Sequence, residues 1–230
     1  MRTVGVIGGL GPETSAEFYL EVVFGCQSRG GTTRPPILLW SVPGAYEIER
    51  DAIERNVGTE RYRPLLVDAA RRLERAGADI LVMPCNSLHV FIDDIRSAVQ
   101  IPVLSIVEET ARFLVVRGID RVGLLATDIT IKSGMYERAL TGAGVRVVVP
   151  DGLNQARIGR TVRNIVVSRH GNRDREALLS IVHRFAQLDV QHVILACTDL
   201  QLLIPQHESL DIFDSMKILV DATVERVFQD

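Results

Sequence analysis

Short apolar, β-branched runs alternate along the chain with longer stretches in which apolar residues recur at three-and-four spacing. The first pattern suits strands buried on both faces and the second suits amphipathic helices, so their alternation predicts an α/β fold with parallel sheets. Strands are expected over Thr3 to Ile7, Pro36 to Ser41, Asp79 to Met83, Val103 to Leu104, Arg121 to Leu125, Val145 to Val149, His192 to Ala196 and Ile212 to Phe213. The clearest helices are Glu13 to Gln27, Arg61 to Arg75, Val107 to Val116, Met135 to Thr141, Arg173 to Leu188 and Ser215 to Phe228. Gly77, Gly118, Gly142 and Gly144 fall where helices should stop.

The pattern also repeats. GADILVMPCNSLHVFI around Cys85 reads like DVQHVILACTDLQLLI around Cys197, and RTVGVIGGLGP at the start reads like DRVGLLATDIT. Each of the first two segments is an apolar strand ending in a cysteine, then one or two small polar residues, then a helical pattern. Two related α/β lobes follow, each a mostly parallel sheet flanked by helices, with pseudo-twofold symmetry and the active site in the cleft between them. The expected division is residues 1–103 with 212–230 as the first lobe, closed by the C-terminal helix, and residues 104–211 as the second. Ligands in parallel sheets bind beyond the carboxyl ends of strands, which points both cysteines into the cleft.

Composition narrows the chemistry. The net charge of −3 gives no basic excess for nucleic acid. No apolar run approaches the ~20 residues of a membrane span, and MRTVGVIGG runs into a glycine turn instead of a cleavage site. A cytoplasmic protein is the expectation. Of the basic residues only Lys132 and Lys217 are lysines, and neither lies by a phosphate loop, which disfavours a pyridoxal phosphate Schiff base. The turn GVIGGLGPE lets the backbone approach a ligand but fails as a dinucleotide fingerprint. Thr14 replaces the last small residue, and strand two ends without a ribose-binding acid.

Three cysteines without a CxxC are too few and too scattered for a disulfide framework. Cys26 lies within an amphipathic helix and suits packing. Cys85 and Cys197, each between a strand and a helical pattern, would gain thiolate character from backbone N–H groups and the helix dipole. Two opposed thiols suit inversion at a carbon bearing an acidic proton, one removing it from one face while the other donates to the opposite face. A lone thiol nucleophile would need a histidine partner; His89, four residues after Cys85, reads as a supporting or packing residue. Cys85, His89 and Cys197 are also of zinc-binding type, but the clustered spacing is absent and no metal is expected. His183, His192 and His207 suit surface or structural positions.

Read in order, GGLGP, SVPGAYEIER, PCNSLH, RVGLLATDITIKSGMYERAL and ACTDL resemble the aspartate/glutamate racemase family, in its aspartate racemase and broad-specificity amino-acid racemase branch. The resemblance covers essentially the whole chain. It implies two pseudo-symmetric lobes, no cofactor, and a catalytic cysteine from each lobe, Cys85 and Cys197. It implies that Asn86, Ser87, Thr198 and Asp199 hold the substrate α-carboxylate and amine, that Leu10, Gly11 and Thr127 line the site, and that Arg50 binds the distal carboxylate. Arg169, before His170 and Gly171, stands in for the family's second-lobe lysine. The chain departs from the family pattern at Leu10 (usually Met), Ser87 (Thr), Asp199 (Glu) and Ala52 (Gln), which bears on substrate identity more than on reaction class. The implied activity is cofactor-independent racemisation of aspartate, with glutamate or other amino acids next. The implied partner is a small acidic amino acid, with no nucleic acid or membrane, and a homodimer is left open as an assembly. The alternatives are a decarboxylase or cis-trans isomerase of a small dicarboxylic acid on the same scaffold, or a non-catalytic intracellular sensor of a small acid.

Overall fold

A computed structural model describes residues 1–55, 57–204 and 206–229. The chain divides into two compact units, Met1–Glu109 with Met216–Asp230, and Thr110–Ser215. Each unit is a parallel sheet flanked by helices.

In the first unit β1 (Val4–Gly8) lies between β2 (Ile37–Ser41) and β3 (Ile80–Val82), with Val4 opposite both Ile37 and Ile80. β1 is buried along its whole length, as a central parallel strand must be. The strand expected at Val103 to Leu104 is reduced to a single parallel bridge from Val103 to Leu81. The neighbouring Pro102 has no N–H to donate, so only its carbonyl joins the ladder, accepting from Leu81 N at 2.8 Å. The helices are α1 (Pro12–Ser28), α2 (Tyr46–Arg55), α3 (Arg63–Arg75) and α4 (Ile92–Arg96). The expected helix from Arg61 begins instead as a 3-10 turn, Thr59–Tyr62, that runs into α3. Ile7, Leu66, Ala69, Leu81, Met83 and Ile95 form the centre of the core.

Helix α5 (Ile106–Val116) carries the chain from the first unit into the second. There β4 (Arg121–Ala126) lies between β5 (Arg146–Val148) and β6 (His192–Ala196), and β7 (Asp211–Asp214) extends the sheet beyond β6, all parallel. Helices α6 (Asp128–Ser133), α7 (Met135–Gly142), α8 (Gly152–Val166) and α9 (Asn172–Gln187) complete the unit, with Leu125, Ile158, Leu178, Ile181, Phe185 and Leu195 in its core. His192 stacks on Phe213 and meets Asp211 at 3.1 Å, a structural position.

The unit boundaries fall a few residues later than the divisions at 103 and 212. Leu104 N donates to Leu81 O, which keeps that segment with the first sheet, and β7 pairs with β6, which keeps it with the second. Helix α10 (Ser215–Val227) then returns to the first unit, where Arg2 N donates to Val227 O. It crosses α1 so closely that a Cβ on Gly25 would lie 2.9 Å from Val224 Cγ2.

Candidate active site

In both units the chain leaves the first strand for one side of the sheet and later returns on the other. The orders β2-β1-β3 and β5-β4-β6 make this a shared topology, with a switch point between β1 and β3 and another between β4 and β6. A crevice opens at such a point because the two connections diverge from adjacent strand ends. Cys85 follows β3 and Cys197 follows β6, so each thiol sits at the switch point of its own sheet.

At the first switch point β1 ends in a turn through Gly9, Leu10 and Gly11 into α1, where Gly11 is the N-cap and Pro12 follows. Gly9 has φ +79, and a Cβ there would lie 2.6 Å from Ser41 Oγ, so the position requires glycine. Ser15 reaches back along α1: its Oγ accepts from Gly9 N and donates to Gly11 O, both at 2.9 Å. Leu10 and Gly11 are thus held at the strand end beside that of β3.

Beyond β3 the chain runs Met83-Pro84-Cys85 and then enters a 3-10 turn, Ser87–Phe91. Cys85 N donates to Met83 O at 2.8 Å, and the Cys85 carbonyl accepts from His89 Nδ1 at 2.7 Å. Cys85 and Ser87 are half-buried, while Asn86 is buried. Tyr62 packs in the same cluster; its hydroxyl is pushed up to about 12 by burial and by the charges of Glu49 and Cys85, so it stays protonated at neutral pH. Buried His89 is pushed the other way, to about 4, because desolvation disfavours imidazolium. Its Nε2 accepts from Ile106 N at 3.1 Å, so both ring nitrogens are engaged by backbone and neither serves the thiol as a base.

Arg50 lies on α2, which follows β2 at the same end of the sheet. It is exposed, whereas Arg55 and Arg61 both bind Asp51, at 3.4 and 2.8 Å.

At the second switch point β4 is followed by Thr127, the N-cap of α6, whose Oγ1 accepts from Thr130 N. Gln155, from α8, clamps this turn by donating to Ala126 O and Asp128 Oδ1, both at 3.0 Å. β6 runs directly into Cys197, whose carbonyl accepts from Leu200 N at 3.1 Å. Cys197 and Thr198 are buried, and Asp199 Oδ2 lies 3.8 Å from the Cys197 thiol.

Two expectations need correction. After Cys85 the 3-10 turn Ser87–Phe91 runs straight into α4, as a helical pattern there should, whereas after Cys197 the pattern is only a 3-10 turn of three residues, Leu200–Leu202, and not a helix. The three-residue turn after Cys197 sums little dipole, and local N–H groups are the backbone source of thiolate stabilisation there. Arg169 lies at no strand end; it is exposed in the turn between α8 and α9, where its N–H donates to Asn164 O. Cys26 is fully buried on α1, its thiol pushed up by burial, as a packing residue should be. Ser15 and Gln155 had no distinctive sequence signature, since their roles depend on which turn their helices reach.

The family model for Asp/Glu/hydantoin racemases matches residues 7–223. The chain belongs to this family. It is an isomerase of the racemase type, and independence of pyridoxal phosphate fits the family. The broad-specificity amino-acid racemase RacX of Bacillus subtilis is 28% identical over 226 residues, 96% of each chain. The aspartate racemase homologue PH1733 of Pyrococcus horikoshii superposes over 100% of both chains with a TM-score of 0.82 at 27% identity. Glutamate racemase from Francisella tularensis, at 16% identity, shares the fold with a TM-score of 0.71 over 99% of this chain and 81% of its own. Among the described residues no helix is long and apolar enough to cross a membrane, and no cluster of metal-binding side chains occurs.

Proposed function

We propose that this racemase inverts the α-carbon of an acidic amino acid, aspartate first, by proton transfer between Cys85 and Cys197 without a cofactor. The observation that carries the reading is the placement of each cysteine at the topological switch point of its own sheet. One cysteine begins as thiolate and the other as thiol. The thiolate takes the α-proton from one face, and the thiol gives its proton to the opposite face of the resulting carbanion. The next turnover, from the other enantiomer, starts with the protonation states exchanged.

The remaining groups divide by chemistry. Asn86 and Ser87 on one side, and Thr198 and Asp199 on the other, bind the α-carboxylate and amine. The Asp199 carboxylate, within reach of the Cys197 thiol, also orients its proton. Arg50, exposed on α2, takes the distal carboxylate in the bidentate fashion suited to guanidinium. Leu10, Gly11 and Thr127 line the site.

The test is a panel of L- and D-amino acids incubated with purified protein in heavy water, read by chiral chromatography and α-deuterium incorporation. Aspartate should racemise with incorporation of deuterium, and Cys85→Ser and Cys197→Ser should each stop net inversion. Full activity in either variant, or tight binding of aspartate without α-exchange, overturns the proposal.

A further inference from the structure

The geometry points to His89 as the positioning residue for Cys85, a buried clamp that fixes the thiol's direction by holding the Cys85 carbonyl to the first turn of α5. The inference rests on the proposed role of Cys85 in proton transfer.

A carbonyl only accepts, so His89 Nδ1, 2.7 Å from Cys85 O, must carry the hydrogen. A backbone N–H only donates, so Nε2, 3.1 Å from Ile106 N, must be bare. The ring is therefore held neutral in one tautomer. It is also 2% exposed, leaving it no solvent to exchange these partners for.

What the clamp holds is the peptide of Cys85 itself. The segment Met83-Pro84-Cys85 has left the ladder of β3, and Cys85 N–H turns back to Met83 O at 2.8 Å. With the N–H fixed there and the C=O fixed by His89, both polar groups of the residue are committed, which sets the Cα–Cβ direction. At the other end, Ile106 is the first residue of α5, so its N–H has no partner within the helix and the imidazole caps it. The carbonyl of Cys197 accepts instead from the backbone N–H of Leu200. A shift of the Cys85 thiol by an ångström spoils proton transfer far more than substrate binding, since alignment of the reacting atoms enters the rate steeply.

Conservative variants separate the two bonds. His89→Asn keeps a donor where Nδ1 stands, His89→Gln keeps an acceptor near Nε2, and His89→Phe keeps volume without either. With the full-length protein, His89→Phe should lower kcat for aspartate racemisation about 100-fold with KM within about threefold. His89→Asn should recover kcat to within about tenfold of the parent and exceed His89→Gln, because the bond to Cys85 is the one that positions the thiol. The rate of iodoacetamide alkylation, followed by peptide mass spectrometry, should change at Cys85 and stay constant at Cys197. A merely structural role would lower the folded fraction and leave kcat per folded molecule unchanged. If His89→Phe does not fold, the order of Asn over Gln carries the test alone. Parental kcat in folded His89→Phe, Gln equal to or better than Asn, or equal changes in alkylation at both cysteines overturns the inference. Full activity of Cys85→Ser, assayed in parallel, instead overturns the reading beneath it.

Discussion

The turns that carry Cys85 and Cys197 occupy equivalent places in two sheets of matching strand order, yet they are held by different means. Cys197 continues straight from β6, and its carbonyl is satisfied by a backbone N–H three residues on, from Leu200. Cys85 stands off the end of β3 behind Pro84, and its carbonyl is satisfied by a buried histidine four residues on. The position corresponding to His89 is Gln201. A carboxylate, Asp199, sits beside the Cys197 thiol, while a protonated phenol, Tyr62, packs in the cluster containing Cys85. Topology and the cysteine are what the repeat has in common; the groups that orient and tune each thiol are not. The two thiols should therefore fail separately and for different reasons.

The largest effect should come from the cysteines themselves. Cys85→Ser and Cys197→Ser should each lower racemisation on the order of 10³-fold, the scale of losing a positioned acid or base. Measured α-deuterium exchange should split by enantiomer, one variant retaining exchange from L-substrate and the other from D-substrate. Equal loss from both enantiomers in both variants would break the assignment of one thiol to each face.

Next in size is an acid sensitivity confined to the first turn. His89 has a folded pKa of about 4, against about 6.5 for an exposed histidine, because burial disfavours the cation. Arg96 reinforces the depression, while Glu108 and the bond to Cys85 O oppose it. Between those two values the unfolded chain binds a proton that the folded chain does not. The stabilising contribution is whole above about pH 6.5 and declines as pH falls toward 4, on the order of 3 kcal/mol across the window. Urea midpoints of the parent and His89→Asn, compared at pH 7 and pH 4.5, check this. The parent should lose more stability on acidification than the variant, which cannot titrate there; parallel losses refute the assignment.

The alternation of strands and helices was legible because parallel strands buried on both faces leave continuous apolar runs. The switch-point cysteines were legible because such runs ended in them twice. Helix α8 was harder to read. Its apolar positions Ile158, Val162 and Ile165 are separated by Arg, Asn and Gly, and its clearest signal is Asp151, an N-cap whose carboxylate accepts from Asn154 N at 2.9 Å. Helix α2 was hidden within SVPGAYEIER, whose few apolar positions gave too little periodicity. The brevity of the turn after Cys197 was hidden as well, since a 3-10 turn and the first turn of a helix share their apolar spacing. The pair of hydrogen bonds made by His89 could not have been read at all. One of its partners is the N–H of Ile106, seventeen residues away, and backbone groups carry no sequence signal.

Substrate recognition offers a third contrast, now between arginines near one helix. Arg50→Ala should raise KM for aspartate about 10- to 100-fold, the cost of a lost charge-assisted pair, with a smaller effect on kcat. Arg61→Ala should leave KM within about threefold, because the Arg61 charge is already spent on Asp51 at 2.8 Å. Steady-state kinetics with aspartate, and with alanine as a substrate lacking the distal carboxylate, sharpen the comparison. Arg50→Ala should cost nothing toward alanine, and an equal loss toward both substrates would show that Arg50 does not read the side-chain carboxylate.

The smallest effects should come from the residues that brace the partner turns after β1 and β4. Ser15 braces the first from within its own helix, bonding Gly9 N and Gly11 O, whereas Gln155 braces the second from α8, bonding Ala126 O and Asp128 Oδ1. Each substitution to alanine removes two hydrogen bonds, yet the outcomes should differ. Ser15→Ala strands the N–H of Gly9, whose backbone already occupies the left-handed region, and should cost about 1–2 kcal/mol. Gln155→Ala leaves a carbonyl and a carboxylate, which water satisfies more readily, and should cost about 1 kcal/mol or less. Urea unfolding midpoints rank the two. A larger loss from Gln155→Ala would mean that the second turn depends on its neighbouring helix more than the first depends on its own serine, reversing the sense in which the two halves differ.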